Sequence, residues 1–119
     1  MDIQYFHYQN AYLGMYTVAF ELPSKEKLIK LSYGNNTITS RIGKSRVHKD
    51  DHYVKAIGRS VSKNKLEEKT LTLIQASFLS DRALYTFSDH DMVYTLQVNK
   101  NSDRVYFLSA LGITGNEYE

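Results

Sequence analysis

The chain has 119 residues, a formal net charge of +2 and no cysteine. This length suits one domain, and the lack of cysteine excludes disulfides, thiolate metal sites and cysteine nucleophiles. The first residues have neither the basic nor the apolar region of a signal peptide, and no apolar run approaches the roughly 20 residues of a membrane span. We therefore expect one cytoplasmic domain, over residues 1–119, without membrane contact.

The N-terminal part of the chain is predicted to form β-strands. Residues 2–8 alternate like a strand, although the tyrosines at positions 5, 8, 12 and 16 are also spaced like one face of a helix. The preference of tyrosine and phenylalanine for pleated surfaces favours the strand. Residues 15–22 are rich in β-branched and aromatic side chains and stop at Pro23, which predicts a second strand.

A hairpin is predicted next. In residues 27–33 the apolar side chains Ile29, Leu31 and Tyr33 alternate with polar ones, as in a half-buried strand. Gly34 and the two asparagines after it suit a tight turn. Residues 37–47 then return as the partner strand.

The hydrophobic period changes after residue 50. Tyr53, Ile57 and Val61 recur every four residues, with Val54 and Gly58 beside them, which predicts an amphipathic helix over about 50–64. We expect the helix to bury this face against the sheet.

The predicted helix has a start signal and an internal glycine. Asp50 or Asp51 can cap its first turn by accepting hydrogen bonds from free backbone N–H groups. Gly58 costs about 1 kcal/mol relative to alanine inside a helix. Such a glycine indicates close approach of the helix to the sheet, or to another helix across a symmetric interface.

Strand-like runs then resume, over residues 70–79, 83–87, 92–98 and 104–111. The alternation in the first of them breaks after Leu73, which predicts a β-bulge. The sequence therefore predicts an α+β fold, in which a mainly antiparallel sheet of about six or seven strands carries one central helix, residues 50–64, on one face.

Positive charge is concentrated between Arg41 and Leu66. Eight basic and two acidic residues give this segment a charge of +6, and the rest of the chain carries −4. Lys55, Arg59 and Lys63 are spaced i, i+4 and i+8, so they project from one side of the predicted helix. We call these three residues the basic ridge. It can be the solvated face of a helix without a partner, or a site that concentrates anions such as phosphates.

Residues 43–66, GKSRVHKDDHYVKAIGRSVSKNKL, resemble a pattern in small phage-encoded counter-defence proteins, including the Thoeris anti-defence sponges. The similar positions are Lys49-Asp50, Tyr53, Lys55, Gly58-Arg59 and Lys65-Leu66. No cysteine precedes the Lys49-Asp50 turn, and Asn64-Lys65 stands in place of Gly-Arg. The resemblance implies a homo-oligomer in the host cytoplasm that binds a cyclic nucleotide signal without cleaving it, with Arg59 and Lys55 as ligand contacts.

We therefore expect a non-enzymatic protein that sequesters a small anionic ligand. Cations of the basic ridge would pair with phosphate, and a tyrosine would stack on a base. The candidate ligand-binding residues are Arg59, Lys55, Lys63, Tyr53, Arg41 and Arg46.

Motifs for catalysis, metals or cofactors are not found in the sequence. His48 and His52 are four residues apart but have no identifiable third ligand. The GKS tripeptide at 43–45 lacks the upstream glycine of a phosphate loop, and there is no nucleophile elbow. We expect no enzyme activity, no metal and no cofactor.

Two alternative functions stay open at this point. The basic segment 41–65 and the ten tyrosines suit single-stranded nucleic acid, through phosphate pairing and base stacking. The tyrosines would also suit a protein interface, as in an inhibitor of a host or CRISPR defence complex.

Overall fold

A computed structural model of the protein describes residues 2–10, 14–31, 33–34, 36–47, 50–90 and 92–112. Within this part of the chain, seven strands pair antiparallel in their sequence order. The elements are β1 (Ile3–Asn10), β2 (Gly14–Glu21), α1 (Lys25–Leu31), β3 (Thr37–Val47), α2 (Lys55–Asn64), β4 (Glu67–Phe78), β5 (Arg82–Ser88), β6 (Met92–Asn99) and β7 (Val105–Gly112).

The sheet curls into a nearly closed barrel. Its first and last strands meet through Phe6 and Phe107, whose ring centroids are 5.7 Å apart, but no ladder joins β1 to β7 among the described residues. The interior is filled by alternate side chains of the strands, as in β6, which buries Met92, Tyr94 and Leu96. The barrel therefore encloses a packed core.

The coarse α+β prediction is confirmed by this architecture. The first residues form a strand, as tyrosine and phenylalanine preferences predicted. The bulge after Leu73 is also confirmed, because the register of β4 against β5 shifts between Leu73 and Gln75. The single central helix is corrected, since the described chain contains two short helices.

The predicted strand over 27–33 is wrong, and so is the hairpin it was to form. These residues belong mostly to α1, which begins after Ser24, whose Oγ accepts a hydrogen bond from a first-turn backbone N–H at 3.2 Å. Leu28 and Leu31, spaced i and i+3, are buried in the core. Ile29 is exposed. Capping and helical spacing thus prevail over a short apolar alternation.

The predicted start of the second helix is also wrong. α2 begins at Lys55 and not near residue 50. Its N-cap is Val54, and no side-chain hydrogen bond caps it, so Asp50 and Asp51 do not serve as caps. Neither described helix, 7 and 10 residues long, is long and apolar enough to cross a membrane.

The buried face of α2 differs from the predicted one. Gly58 and Ser62 are buried against the sheet, whereas Ile57 and Val61 are 58% and 37% exposed. The predicted Tyr53/Ile57/Val61 face is therefore wrong, although the predicted close approach of Gly58 to the sheet is confirmed. Small side chains let the helix backbone come close to the strands, and larger ones are displaced to its flanks.

Candidate anion-binding site

α2 lies across the outer face of β2 and β3. Its contacts with these strands determine which side of the helix faces the sheet. Ser45 on β3 donates a hydrogen bond from its hydroxyl to the Gly58 carbonyl oxygen at 3.1 Å. A Cβ atom on Gly58 would lie 3.1 Å from the Cβ of Thr17 on β2. The side of α2 that contains Gly58 and Ser62 faces the sheet. The two flanks of the helix are therefore turned to opposite sides, one toward β1 and one away from it.

The basic ridge occupies the flank that faces β1. Positive charge on Lys55 and Arg59 acts on the imidazole of His7, which lies on β1. Lys63 follows one turn further along the same flank. All three cations are exposed, and none takes part in an ion pair within the described part of the chain. The ridge therefore presents to solvent positive charge that no carboxylate of the described residues pairs with.

A hydrogen-bonded cluster lies beside the ridge. His7 Nδ1 is 2.9 Å from Thr17 Oγ1, and the Tyr53 hydroxyl is 3.2 Å from the same Thr17 oxygen. The Tyr53 hydroxyl also hydrogen-bonds directly to His7 Nδ1. His7 and Thr17 are partners across β1 and β2, and Tyr53 immediately precedes the N-cap of α2. The cluster thus ties the start of α2 to both strands.

The imidazole in this cluster is held in its neutral form. Burial first, and then the positive charges of Lys55 and Arg59, lower the pKa of His7 below its usual 6.5. A neutral imidazole whose Nδ1 accepts the hydrogen bond of the Tyr53 hydroxyl has its ring hydrogen on the other nitrogen. No described residue engages that second nitrogen, so in this tautomer its N–H group can donate to a ligand.

The geometry of the ridge suits an anion. Its three cations span about 12 Å along the helix, at 1.5 Å per residue. The first turn of α2 contains no acidic residue and has no side-chain cap, so its free N–H groups and the helix dipole add partial positive charge at the Lys55 end. A ligand with one or two phosphate groups could contact the ridge and the His7 N–H donor together.

The structure brings four of the six candidate residues together. Tyr53, Lys55, Arg59 and Lys63 lie in one region, along the start and one flank of α2. Arg41 on β3 instead forms an ion pair with Glu21, with Nε 2.6 Å from Oε2.

Arg46 lies on the opposite face of β3. Ser45 faces α2 through its hydrogen bond to Gly58, and neighbouring strand residues project to opposite faces. Arg46 is therefore directed away from the basic ridge. Among the histidines considered as metal ligands, His48 lies outside the described residues and His52 is exposed.

His7 and Thr17 were missed in the sequence. A lone histidine in an alternating strand has no local feature that distinguishes it from any other half-buried polar residue. Its position beside Tyr53 depends on the pairing of β1 with β2 and on the seating of α2, both of which are long-range. The only available signal was the parity of β1, which places His7 and Tyr5 on one face.

The His7 cluster predicts a pH-dependent stability. The unfolded chain binds a proton at His7 near pH 6.5, while the folded protein does so only at lower pH. The free energy of unfolding should therefore fall as pH drops through about 6.5, and this contribution should level off below the folded pKa of His7. Urea unfolding between about pH 7.5 and 5.5 measures it, and His7→Gln should flatten the slope.

Exposed His52 provides the control for this experiment. His52→Gln should leave the slope of stability against pH unchanged. Equal slopes for the unmodified protein and His7→Gln would show that the imidazole is not held neutral by its surroundings in the fold.

Comparisons with known proteins add no relative to this picture. No protein-family model matches the chain, and searches of curated proteins and of solved structures find no match.

Proposed function

We propose that the protein binds a small phosphate-bearing ligand, such as a cyclic nucleotide, on the basic ridge and sequesters it without chemical change. One observation carries this proposal. Lys55 and Arg59 lie on the flank of α2 near enough to His7 for their charges to lower its pKa, and neither has an ion-pair partner in the described part of the chain.

Electrostatics favour an anion at this position. Like charges spaced i and i+4 destabilise a helix by about 0.2–0.5 kcal/mol per pair, and the ridge contains two such pairs. A bound phosphate would offset this repulsion between the cations by attracting both of them. Arg59 can hold two phosphate oxygens with its planar guanidinium, and Lys55 can neutralise the same group. Lys63, further along the ridge, could reach a second phosphate.

The polar cluster would orient the rest of the ligand. Tyr53 is half-buried, and its hydroxyl is held by His7 and Thr17. Its ring is thereby fixed in position beside Lys55, where it could pack against a base with little loss of side-chain entropy. The free ring nitrogen of His7 would donate to a carbonyl or phosphate oxygen of the ligand.

The resemblance of residues 43–66 to phage counter-defence proteins supports the sequestering role. In those proteins a cyclic nucleotide signal is bound by a homo-oligomer and left intact. A phage or mobile-element protein acting in this way is our proposal for the biological setting.

Binding can be tested with a matched pair of charge variants. We expect a panel of cyclic mononucleotides and cyclic dinucleotides to contain a member that raises the Tm and is recovered unchanged. Lys55→Ala/Arg59→Ala should weaken its binding about 100-fold, because two charged hydrogen-bond donors worth about 1.5 kcal/mol each are lost. Isothermal titration calorimetry measures this effect.

The control variant removes the same charge elsewhere. Lys27→Ala/Lys30→Ala lies on exposed positions of α1 and should leave the affinity unchanged. If no panel member binds, or both double variants weaken binding equally, the ridge is not a specific site. If single-stranded oligonucleotides bind tighter, with a log–log salt slope of about 0.7 per phosphate, the protein is a nucleic-acid binder instead.

A further inference from the structure

One strand edge beside α2 has no partner among the residues that the structure describes. β4 pairs with β3 only over Thr37–Ile42. Residues 43–47 continue β3 and pair with β2 on one side, but no strand pairs with their other side in the part of the chain that the structure describes. Backbone N–H and C=O groups along such an edge can accept a further strand.

An apolar surface borders this edge. Val54, Ile57 and Val61 are 36%, 58% and 37% exposed, and their spacing places them on one flank of α2. At 100° per residue this flank and the basic ridge lie on opposite sides of the buried line through Gly58. Because the ridge faces β1, these three residues face the free side of β3. We call them the apolar flank.

The two faces of the free edge differ in chemistry. Ser45 faces α2, so Lys44 and Arg46 project from the opposite face. Lys44 Nζ is 3.7 Å from Asp89 Oδ2 and is largely shielded. Arg46 is exposed and takes part in no described ion pair. The edge therefore has an apolar side next to α2 and a cationic side next to Arg46.

We propose that residues 43–47 bind an extended segment of a partner protein in which apolar and acidic residues alternate. Such a segment would add a strand to β3 and satisfy the free backbone groups. Successive side chains of a strand point to opposite faces. Every second residue would then pack on the apolar flank, and the residues between would meet Arg46. Opposite charges across neighbouring strands are favourable, which selects acidic residues at these positions.

A second copy of the chain fits this edge poorly. In a two-fold pair centred on Ser45, Lys44 of one copy would lie opposite Arg46 of the other. Like charges directly opposite each other destabilise a strand pair, and basic residues are a common device against edge-to-edge association.

A synthetic peptide tests the proposal without knowledge of the partner. The probe is a capped peptide of about eight residues in which valine and glutamate alternate, labelled for fluorescence anisotropy. We expect it to bind at least about tenfold tighter than a peptide of equal composition with all valines before all glutamates. All valine N–H groups of a strand point to one side and all glutamate N–H groups to the other. N-methylation should therefore abolish binding for one set and spare it for the other.

Protein variants locate the bound peptide. Ile57→Ser and Arg46→Ser should each weaken peptide binding about tenfold. Ile29→Ser, at an exposed apolar position of α1, and Lys55→Ala/Arg59→Ala should leave it unchanged, which separates this site from the basic ridge. Equal binding of both peptides, or insensitivity to Ile57→Ser and Arg46→Ser, would overturn the proposal. So would concentration-dependent dimerisation that Ile57→Ser abolishes, because a second copy would then be the occupant.

Discussion

Leu28→Ala is expected to lower the free energy of unfolding by about 2–5 kcal/mol, whereas Ile29→Ala should change it by less than about 1 kcal/mol. The two residues are adjacent on α1, but Leu28 is fully buried in the barrel core and Ile29 is 45% exposed. Removal of Leu28 leaves a cavity at the end of the barrel, since the surrounding strands are fixed by their own ladders and cannot fill it.

Urea unfolding of the two variants measures this difference, with Ile29→Ala as the internal control. A domain of this size has a total stability of about 5–15 kcal/mol, so Leu28→Ala should shift the midpoint strongly. The predicted strand over 27–33 would have placed Ile29 inside and Leu28 outside. A larger loss for Ile29→Ala than for Leu28→Ala would contradict the helix.

Gly43→Ala is expected to lower the free energy of unfolding by about 2–3 kcal/mol, through overpacking. A Cβ atom on Gly43 would overlap the carbonyl oxygen of Ser62 and lie 3.0 Å from the backbone nitrogen of Leu66. Backbone atoms cannot turn aside as a side chain can, so the end of α2 must lift from β3. Denaturant unfolding followed by circular dichroism measures the loss.

Two variants on α2 serve as comparisons for Gly43→Ala. Ser60→Ala, at an exposed position, should stay within about 0.5 kcal/mol of the unmodified protein. Gly58→Ala should cost less than Gly43→Ala, because its conflict is with the Thr17 side chain and alanine gains about 1 kcal/mol of helix propensity. If Gly43→Ala leaves the stability unchanged, α2 does not rest on β3 as described.

The strands were predictable because their signal is local. In β6 every second side chain is buried, so the period-two pattern and the structure coincide over the whole element. The bulge after Leu73 interrupts that pattern at the position where the register shifts. α1 was not predictable in the same way, because three apolar residues at alternate positions, ending at Tyr33, imitate a strand. The cap at Ser24 was the signal that distinguished the two.

α2 shows a different limit of sequence interpretation. Its hydrophobic period is real and predicted a helix, but the face toward the sheet is the one with Gly58 and Ser62. That choice depends on Gly43, which lies more than a dozen residues earlier and leaves room for the helix backbone. An amphipathic pattern predicts that a segment is a helix. Which side of the helix comes closest to the sheet depends on small residues on both α2 and β3.

The candidate site contains residues that local sequence predicts and residues whose position depends on long-range contacts. Lys55 and Arg59 follow from helical spacing, and the sequence places them on one side of α2 without further information. His7 comes from a strand that reaches α2 only after β1 pairs with β2. Arg41 belongs to the same basic segment in the sequence, but Glu21 on the neighbouring strand engages it.

The seam between β1 and β7 has a consequence for the ridge. Within the described residues β1 pairs with a strand on one side only, and on its other side Phe6 contacts Phe107 of β7. Such a strand is a low-cost unit for local opening, and its departure would carry His7 away from α2. A ligand that contacts both His7 and Arg59 would hold β1 against α2 and so oppose this opening. Ligand binding to the basic ridge and closure of β1 onto the barrel would then be thermodynamically coupled, so that each stabilises the other.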